Sequence, residues 1–239
     1  MSVDLPVAVV TGGNRGVGRE VCRQLALLGY LVVLCSRDLR KGELAAREID
    51  PEGERIAACQ LEVDNSLSVA AMAGWVKGRL GRTDVLVNNA STGYDRWATA
   101  SNAELGTVAE AIDVNLFGAW RVTHALLPML RLSSRPRIVN VSGEVGSISG
   151  MTGGSPAHAV SKAALNALTR LLAGELARDG IVVNAVCPGW TEENRPWGLT
   201  APPGLRSVSQ AAASVIWAVT VPDGGPTGTF TRDGQPYPW

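Results

Sequence analysis

Short apolar runs alternate with helix-period segments along nearly the whole chain, and few folds accommodate that order. The runs lie near Val7-Thr11, Leu31-Ser36, Ile56-Leu61, Asp84-Asn88, Arg137-Ser142, Ile181-Cys187 and Gly228-Thr231. They lack the polar alternation of a half-exposed strand, so each is expected to be buried on both faces. Helical segments begin near Gly16, Leu39, Ser66, Ala103, Asn115, Pro156 and Ser207. Parallel strands joined by right-handed crossover helices satisfy both patterns. The order predicts an α/β fold: a doubly wound parallel sheet of about seven strands with helices on both faces. Ligands are then expected outside the carboxyl ends of the strands.

Size and charge narrow the field. A chain of 239 residues, 46% of them hydrophobic, can close one large core, and no shift in composition divides it, so residues 1–239 read as a single domain. Lys+Arg and Asp+Glu balance at 22 each, and the basic residues are scattered, which leaves no footprint for nucleic acid. The apolar runs are too short to span a bilayer, and the amino terminus has no charged segment leading into an apolar one. A cytoplasmic protein without a membrane partner is expected. Cys22, Cys35, Cys59 and Cys187 show no C-x-x-C spacing and suit buried reduced thiols; neither a disulfide nor a metal is indicated.

Two segments interrupt the alternation. Residues 91–100 contain Tyr94, Asp95, Arg96 and Trp97, and residues 190–206 are broken by Pro196, Pro202, Pro203, Gly198 and Gly204. Both follow strands, which makes them candidate substrate loops. Trp97, Trp190 and Trp197, with Tyr94, are the side chains expected to meet a flat, apolar small molecule.

The first strand runs into Gly12-Gly13-Asn14-Arg15-Gly16-Val17-Gly18, and a helix pattern follows. Glycines at such a turn let backbone N–H groups approach a pyrophosphate and let the helix pack closely on the sheet. The helix amino terminus then faces the anion. This stretch resembles the T-G-x-x-x-G-x-G element of the short-chain dehydrogenase/reductase family. Further matches follow in order: Asn88-Asn89-Ala90, Asn115 in Asp113-Val114-Asn115, Ser142, Lys162, and Pro188-Gly189. The carboxyl end, from Pro226 to Trp239, is similar to a carbonyl-reductase-like subset. The resemblance covers essentially the whole chain and implies a Rossmann-like fold, a dinucleotide cofactor, and a homodimer or homotetramer pairing through the helices near Asn115 and Pro156.

Charge argues for the choice of nucleotide. Where family members that bind NAD place an acid on the ribose hydroxyls, this chain has Ser36 and then Arg37, and Arg15 lies in the glycine turn. Two guanidiniums suit a 2′-phosphate, so NADP(H) is expected. The competing possibility is that both arginines are solvated and Asp38 takes the ribose. Val63 and Asp64 match the family's adenine-contacting strand end, although Glu62 stands where the family usually has Asp. The expected cofactor contacts are thus Gly12, Asn14, Arg15, Gly16, Val17, Gly18, Ser36, Arg37, Val63, Asp64, Asn89, Ala90, Lys162, Pro188 and Gly189.

The catalytic end departs from the pattern. In Ser155-Pro156-Ala157-His158-Ala159-Val160-Ser161-Lys162, the family's Tyr-x-x-x-Lys has become His-x-x-x-Lys. Ser155 suits a helix N-cap and Pro156 the first helical position, so His158 and Lys162 share a face. The resemblance assigns Ser142 to the substrate carbonyl, Lys162 to the nicotinamide ribose, and Asn115 to a relay water. A histidinium at position 158 is a competent acid, but a cationic Lys162 one turn away opposes it, and an imidazole reaches roughly 2 Å less far than a phenol. Ser91 replaces a family glycine, Glu144 stands two residues past Ser142, and Glu193 replaces a threonine. These substitutions suggest that Glu144 pairs with His158 and raises its pKa. Tyr94 offers a phenol from its loop but reads rather as a residue that shapes the pocket, and His124 reads as a satisfied helix histidine. The leading expectation is an NADP(H)-dependent oxidoreductase acting on a carbonyl or alcohol with His158 in place of the tyrosine acid. A non-redox enzyme using His158 and Glu144, or a reductase inactivated at position 158, are the alternatives.

Overall fold

Strands without a polar face need cover on both sides, and the packing supplies it except at the edge run from Ile56, where Ala57 and Gln60 are exposed. The computed structural model describes residues 5–191 and 204–239. The strands are β1 (Val7–Val10), β2 (Leu31–Ser36), β3 (Ile56–Gln60), β4 (Val85–Asn88), β5 (Arg137–Val141), β6 (Val182–Val186), β7 (Phe230–Arg232) and β8 (Gln235–Pro236). They form one sheet in the order β3-β2-β1-β4-β5-β6-β7-β8. All neighbours are parallel except the pair β7 and β8. The short antiparallel β8 is an addition to the seven strands the sequence predicts; its two residues carry no strand pattern that could be recognised.

The helices are α1 (Gly16–Leu27), α2 (Leu39–Ile49), α3 (Ser66–Leu80), α4 (Leu105–Ile112), α5 (Ala119–Leu130), α6 (Pro156–Leu176) and α7 (Val208–Thr220). Successive strand residues point to opposite faces, so Val9, Val33, Leu86, Ile138 and Val183 pack with Val69 and Met72 of α3, Val122 of α5 and Leu165 of α6. Ala8, Val10, Leu34, Val85, Val87 and Val139 pack on the other side with Val21 of α1, Ala45 of α2 and Val215 of α7. Each fully buried valine or leucine contributes about 1.5–3 kcal/mol, which makes this two-sided core the main source of stability. No helix among the described residues is long and apolar enough to cross a membrane.

Two local features differ from expectation. The helices expected near Ala103 and Asn115 are one run, in which α4 passes through a π turn at Asp113–Gly118 into α5. Such a bulge re-aims one side chain inward, and Asn115 is the residue it carries. Ser155 does not cap α6: its backbone is left-handed, at φ 47°, and its side chain makes no capping bond. The buried Asp95 carboxylate caps instead, accepting from the Ala157 N–H at 2.9 Å and the His158 N–H at 3.4 Å. A cap from a residue about sixty positions upstream leaves no local sequence signature.

Candidate active site

The sheet order reverses between β1 and β4, and the carboxyl ends of those strands open one cleft of about 800 Å³. Its floor at one end is the turn from β1 to α1. The Thr11 hydroxyl oxygen accepts from the Asn89 and Ala90 N–H groups at 2.9 Å each. The Asn89 amide donates back to the Thr11 and Gly12 carbonyls at 2.9 and 3.1 Å. A Cβ on Gly18 would stand 2.4 Å from the Gly12 carbonyl oxygen, so only glycine lets helix and turn close up. Arg15, in the N-cap position of α1, makes no side-chain capping bond, which leaves the first N–H groups of the helix without a side-chain partner. That is the chemistry of an anion seat.

At the same end, Ser36, Arg37, Asp38 and Lys41 line the cleft. Asp38 caps α2 by accepting from the Lys41 N–H at 3.2 Å. Its carboxylate is therefore partly committed to the helix, which weakens its claim on a ribose. Arg37 and Lys41 are exposed cations at the mouth. Every residue expected to contact the cofactor, from Gly12 to Gly189, lines this one cleft.

Ser142, His158 and Lys162 line the far end. Lys162 is buried and donates to the Val141 carbonyl at 2.7 Å. Burial pulls its pKa down to about 7. Gly146 makes room for it, since a Cβ there would stand 2.9 Å from the Lys162 backbone. The Ser142 hydroxyl meets the Lys162 carbonyl only at 3.5 Å and so is loosely held. The imidazole of His158 is buried, its Nδ1 lies 3.4 Å from the Thr92 carbonyl, and its ring stacks on Tyr94 with centroids 4.3 Å apart. Burial first, then the charges of Lys162 and Arg96, depress its pKa to about 3 against the opposing pull of the Thr92 carbonyl. The ring is neutral at physiological pH.

The loop after β4 is built into this end. The Asn115 Oδ1 accepts from the Thr92 N–H at 2.8 Å, and its Nδ2 donates to the Thr92 carbonyl and the Ser161 Oγ at 2.9 Å each. Asn115 does not line the cleft. The resemblance implied a water anchor; the side-chain amide protons go to Thr92 of the loop and Ser161 of α6. Three residues further on, Asp95 fastens the same loop to α6. Between these clamps, Tyr94 faces His158, and the Arg96 guanidinium lies over the rings of Tyr94 and Trp190, at 5.3 and 5.7 Å.

A model of the short chain dehydrogenase family matches residues 6–198. The chain belongs to that family. Short-chain dehydrogenase/reductase 1 of Saponaria officinalis is 31% identical over 97% of the chain and 95% of the relative. Salutaridine reductase of Papaver bracteatum is 30% identical over 93% of each. Carbonyl reductase 1 (NADPH) of Rattus norvegicus is 29% identical over the full length of both. Among solved structures, NADPH-bound carbonyl reductase from chicken fatty liver superimposes with a TM-score of 0.87 at 26% identity, covering 98% of this chain and 99% of that one.

Within this short-chain dehydrogenase the expected His158–Glu144 pair does not form. The Glu144 carboxylate accepts from Arg232 at 2.6 Å and from the Trp190 indole N–H. Its charge is neutralised by Arg232, and the His158 pKa moves down rather than up. Of the expected substrate contacts, Tyr94, Trp97 and Trp190 line the cleft, whereas Trp197 lies outside the described residues, as does Glu193, the residue in place of the family's threonine. The sequence reading missed the cap on α6 provided by Asp95. It also missed Lys41, for which the signal was a cation four residues past Arg37, and Arg232, which nothing local marks.

Proposed function

We propose that the protein is an NADP(H)-dependent oxidoreductase acting on a carbonyl or alcohol of a fairly apolar small molecule. The observation that carries the reading is the continuity of the cleft. One space joins an uncapped helix terminus and a cationic mouth to a serine and a lysine placed to work on a polar oxygen. The residues fit a phosphorylated dinucleotide: the Gly12–Gly18 turn for its pyrophosphate, Arg37 and Lys41 for the 2′-phosphate, Val63 and Asp64 for adenine, and Lys162 for the inner ribose. When bound, that group supplies or accepts a hydride.

The chain's own part is to bind, orient and handle the proton. The Ser142 hydroxyl, loosely engaged, is available to donate to a substrate oxygen. Lys162 spends one N–H on Val141 and keeps at least one more to give. Trp97, Trp190 and Tyr94 provide apolar walls for the organic part of a substrate. His158 is a poor source of the proton: with a pKa of about 3, roughly one ring in ten thousand is charged at pH 7. A non-redox reading built on a His158–Glu144 pair loses its pair to Arg232 and is not carried forward.

The test is nucleotide preference. Tryptophan fluorescence titration should show NADPH binding at least tenfold more tightly than NADH. Arg37→Ala and Lys41→Ala should each weaken NADPH by roughly tenfold, the scale of one lost charge-assisted contact, and leave NADH within a factor of two. Equal affinities for the two nucleotides would overturn the assignment.

A further inference from the structure

The reductase chemistry just proposed needs a proton for the substrate oxygen, and position 158 has no phenol to give it. Only three tyrosines exist in the chain, and one of them lines this part of the cleft. We propose that Tyr94, carried by the loop after β4, supplies the proton that a phenol on α6 would otherwise give.

Four observations converge on it. First, the ring of Tyr94 lies over the His158 ring at 4.3 Å with a tilt of 30°. An imidazole is shorter than a phenol by roughly 2 Å, so position 158 reaches less far into the cleft, and Tyr94 sets a phenol against the face of that ring. Second, Tyr94 is fixed from both sides, by the three Asn115 hydrogen bonds at Thr92 and Ser161 and by the Asp95 clamp on the first turn of α6. A group held this way keeps its position without relying on a mobile loop. Third, the ring shares the cleft with Ser142 and Lys162, the two groups that would hold the substrate oxygen and the cofactor ribose. Fourth, burial raises the phenol's pKa against Ser91, Arg15 and Arg96, so at neutral pH the hydroxyl carries its proton. His158, neutral and stacked beneath, acts as a positioning residue for the phenol.

The step balances. With the carbonyl carbon taking a hydride that the bound dinucleotide would supply, the C=O π electrons would pass to oxygen, that oxygen would take the Tyr94 proton, and a solvent proton delivered through water would restore the phenol. The alcohol is the reduced product and the dinucleotide is oxidised.

The proposal rests on the reductase reading, so the experiment separates the two. Wild type, Tyr94→Phe, His158→Tyr and the double variant are assayed for NADPH oxidation with 4-nitrobenzaldehyde and acetophenone, and NADPH affinity is measured by fluorescence. In parallel, 13Cζ-tyrosine NMR of the apo protein and of its NADP+ complex, with and without acetophenone, follows Tyr94 among three signals. Expected are turnover by wild type, a loss of at least 100-fold in kcat for Tyr94→Phe with NADPH affinity within twofold, and recovery of at least tenfold when His158→Tyr is added. Acetophenone should also shift the Tyr94 signal and leave the signals of Tyr30 and Tyr237 in place. If Tyr94→Phe keeps more than a third of wild-type turnover, Tyr94 is not the donor and the reductase reading stands. If the wild type binds no NADPH, the reductase reading falls, and the donor role falls with it. If NADPH binds but turnover appears only with His158→Tyr and the Tyr94 signal ignores acetophenone, the donor role is overturned alone.

Discussion

A histidine where an acid is needed is informative only once its charge is known. Position 158 lies under a tyrosine ring, one helical turn from a lysine, with Arg96 nearby, and the hydrogen-bond partner of its imidazole is the Thr92 carbonyl and not a carboxylate. Burial, the largest influence, and the charges of Lys162 and Arg96 disfavour imidazolium, against the pull of the Thr92 carbonyl. With two histidines in the chain, a His124→Gln background leaves one ring to observe. Its 15N signals should stay flat between pH 5 and 8, and adding Lys162→Met should leave the midpoint below 6, because burial outweighs the lysine. An inflection near the ordinary value of about 6.5 would show the ring to be solvated and would reopen its use as an acid. The same residues explain why the sequence misjudged Glu144: its nearness to Ser142 was legible, but Arg232, 88 positions away, was the partner that decided its direction.

At the scale of elements, α6 and the loop at 91–98 act as one unit. The helix carries His158 and Lys162, and its first N–H groups close on a carboxylate from the loop, so the start of the helix and the end of the loop are held together. Replacing an N-cap acceptor by alanine costs about 0.5–2 kcal/mol. Asp95→Ala should therefore lose about that much in urea denaturation, with a larger proportional change in kcat than in NADPH affinity, since the cofactor end lies elsewhere in the cleft. Asp95→Asn keeps an acceptor oxygen and should retain most of both. Equal loss of NADPH affinity and turnover would mean that the clamp holds the whole fold and not this end alone. The contrast between legible and illegible features follows from range. Strands β1 to β7 and helices α1 to α7 could be read because burial on two faces and helical period are written in consecutive residues. The glycine turn was legible for the same reason. The cap on α6, the π turn that aims Asn115 at Thr92, and the two-residue β8 all depend on partners distant in sequence.

Across the whole molecule, the unusual feature is a buried lysine at the far end of the cleft with no ion pair to a carboxylate among the described residues. Lys162 is buried on α6 and donates to the Val141 carbonyl of β5; Glu144, which lines the same cleft, is tied to Arg232, and the neighbouring His158 is neutral. Its folded pKa of about 7 lies below the reference value of 10.5 that it regains on unfolding. Between those values the unfolded chain binds the extra proton, so stability must rise with pH there, by up to about 1.4 kcal/mol per unit for one proton. Below pH 7 both states are protonated and the penalty is fully present and constant; above 10.5 it is gone. Lys162→Met removes the group while keeping an unbranched apolar stem. Cysteines and tyrosines also titrate in this window, but they are common to both proteins and cancel in the difference. Urea unfolding of the apo protein at pH 7.5, 8.5 and 9.5 should show wild type gaining on Lys162→Met at each step. Parallel curves would mean that the ammonium has found water or an anion in the apo cleft. A rising difference would establish that the empty fold holds its lysine at a cost, which a ligand offering hydroxyl or anionic oxygens to that nitrogen would relieve on binding.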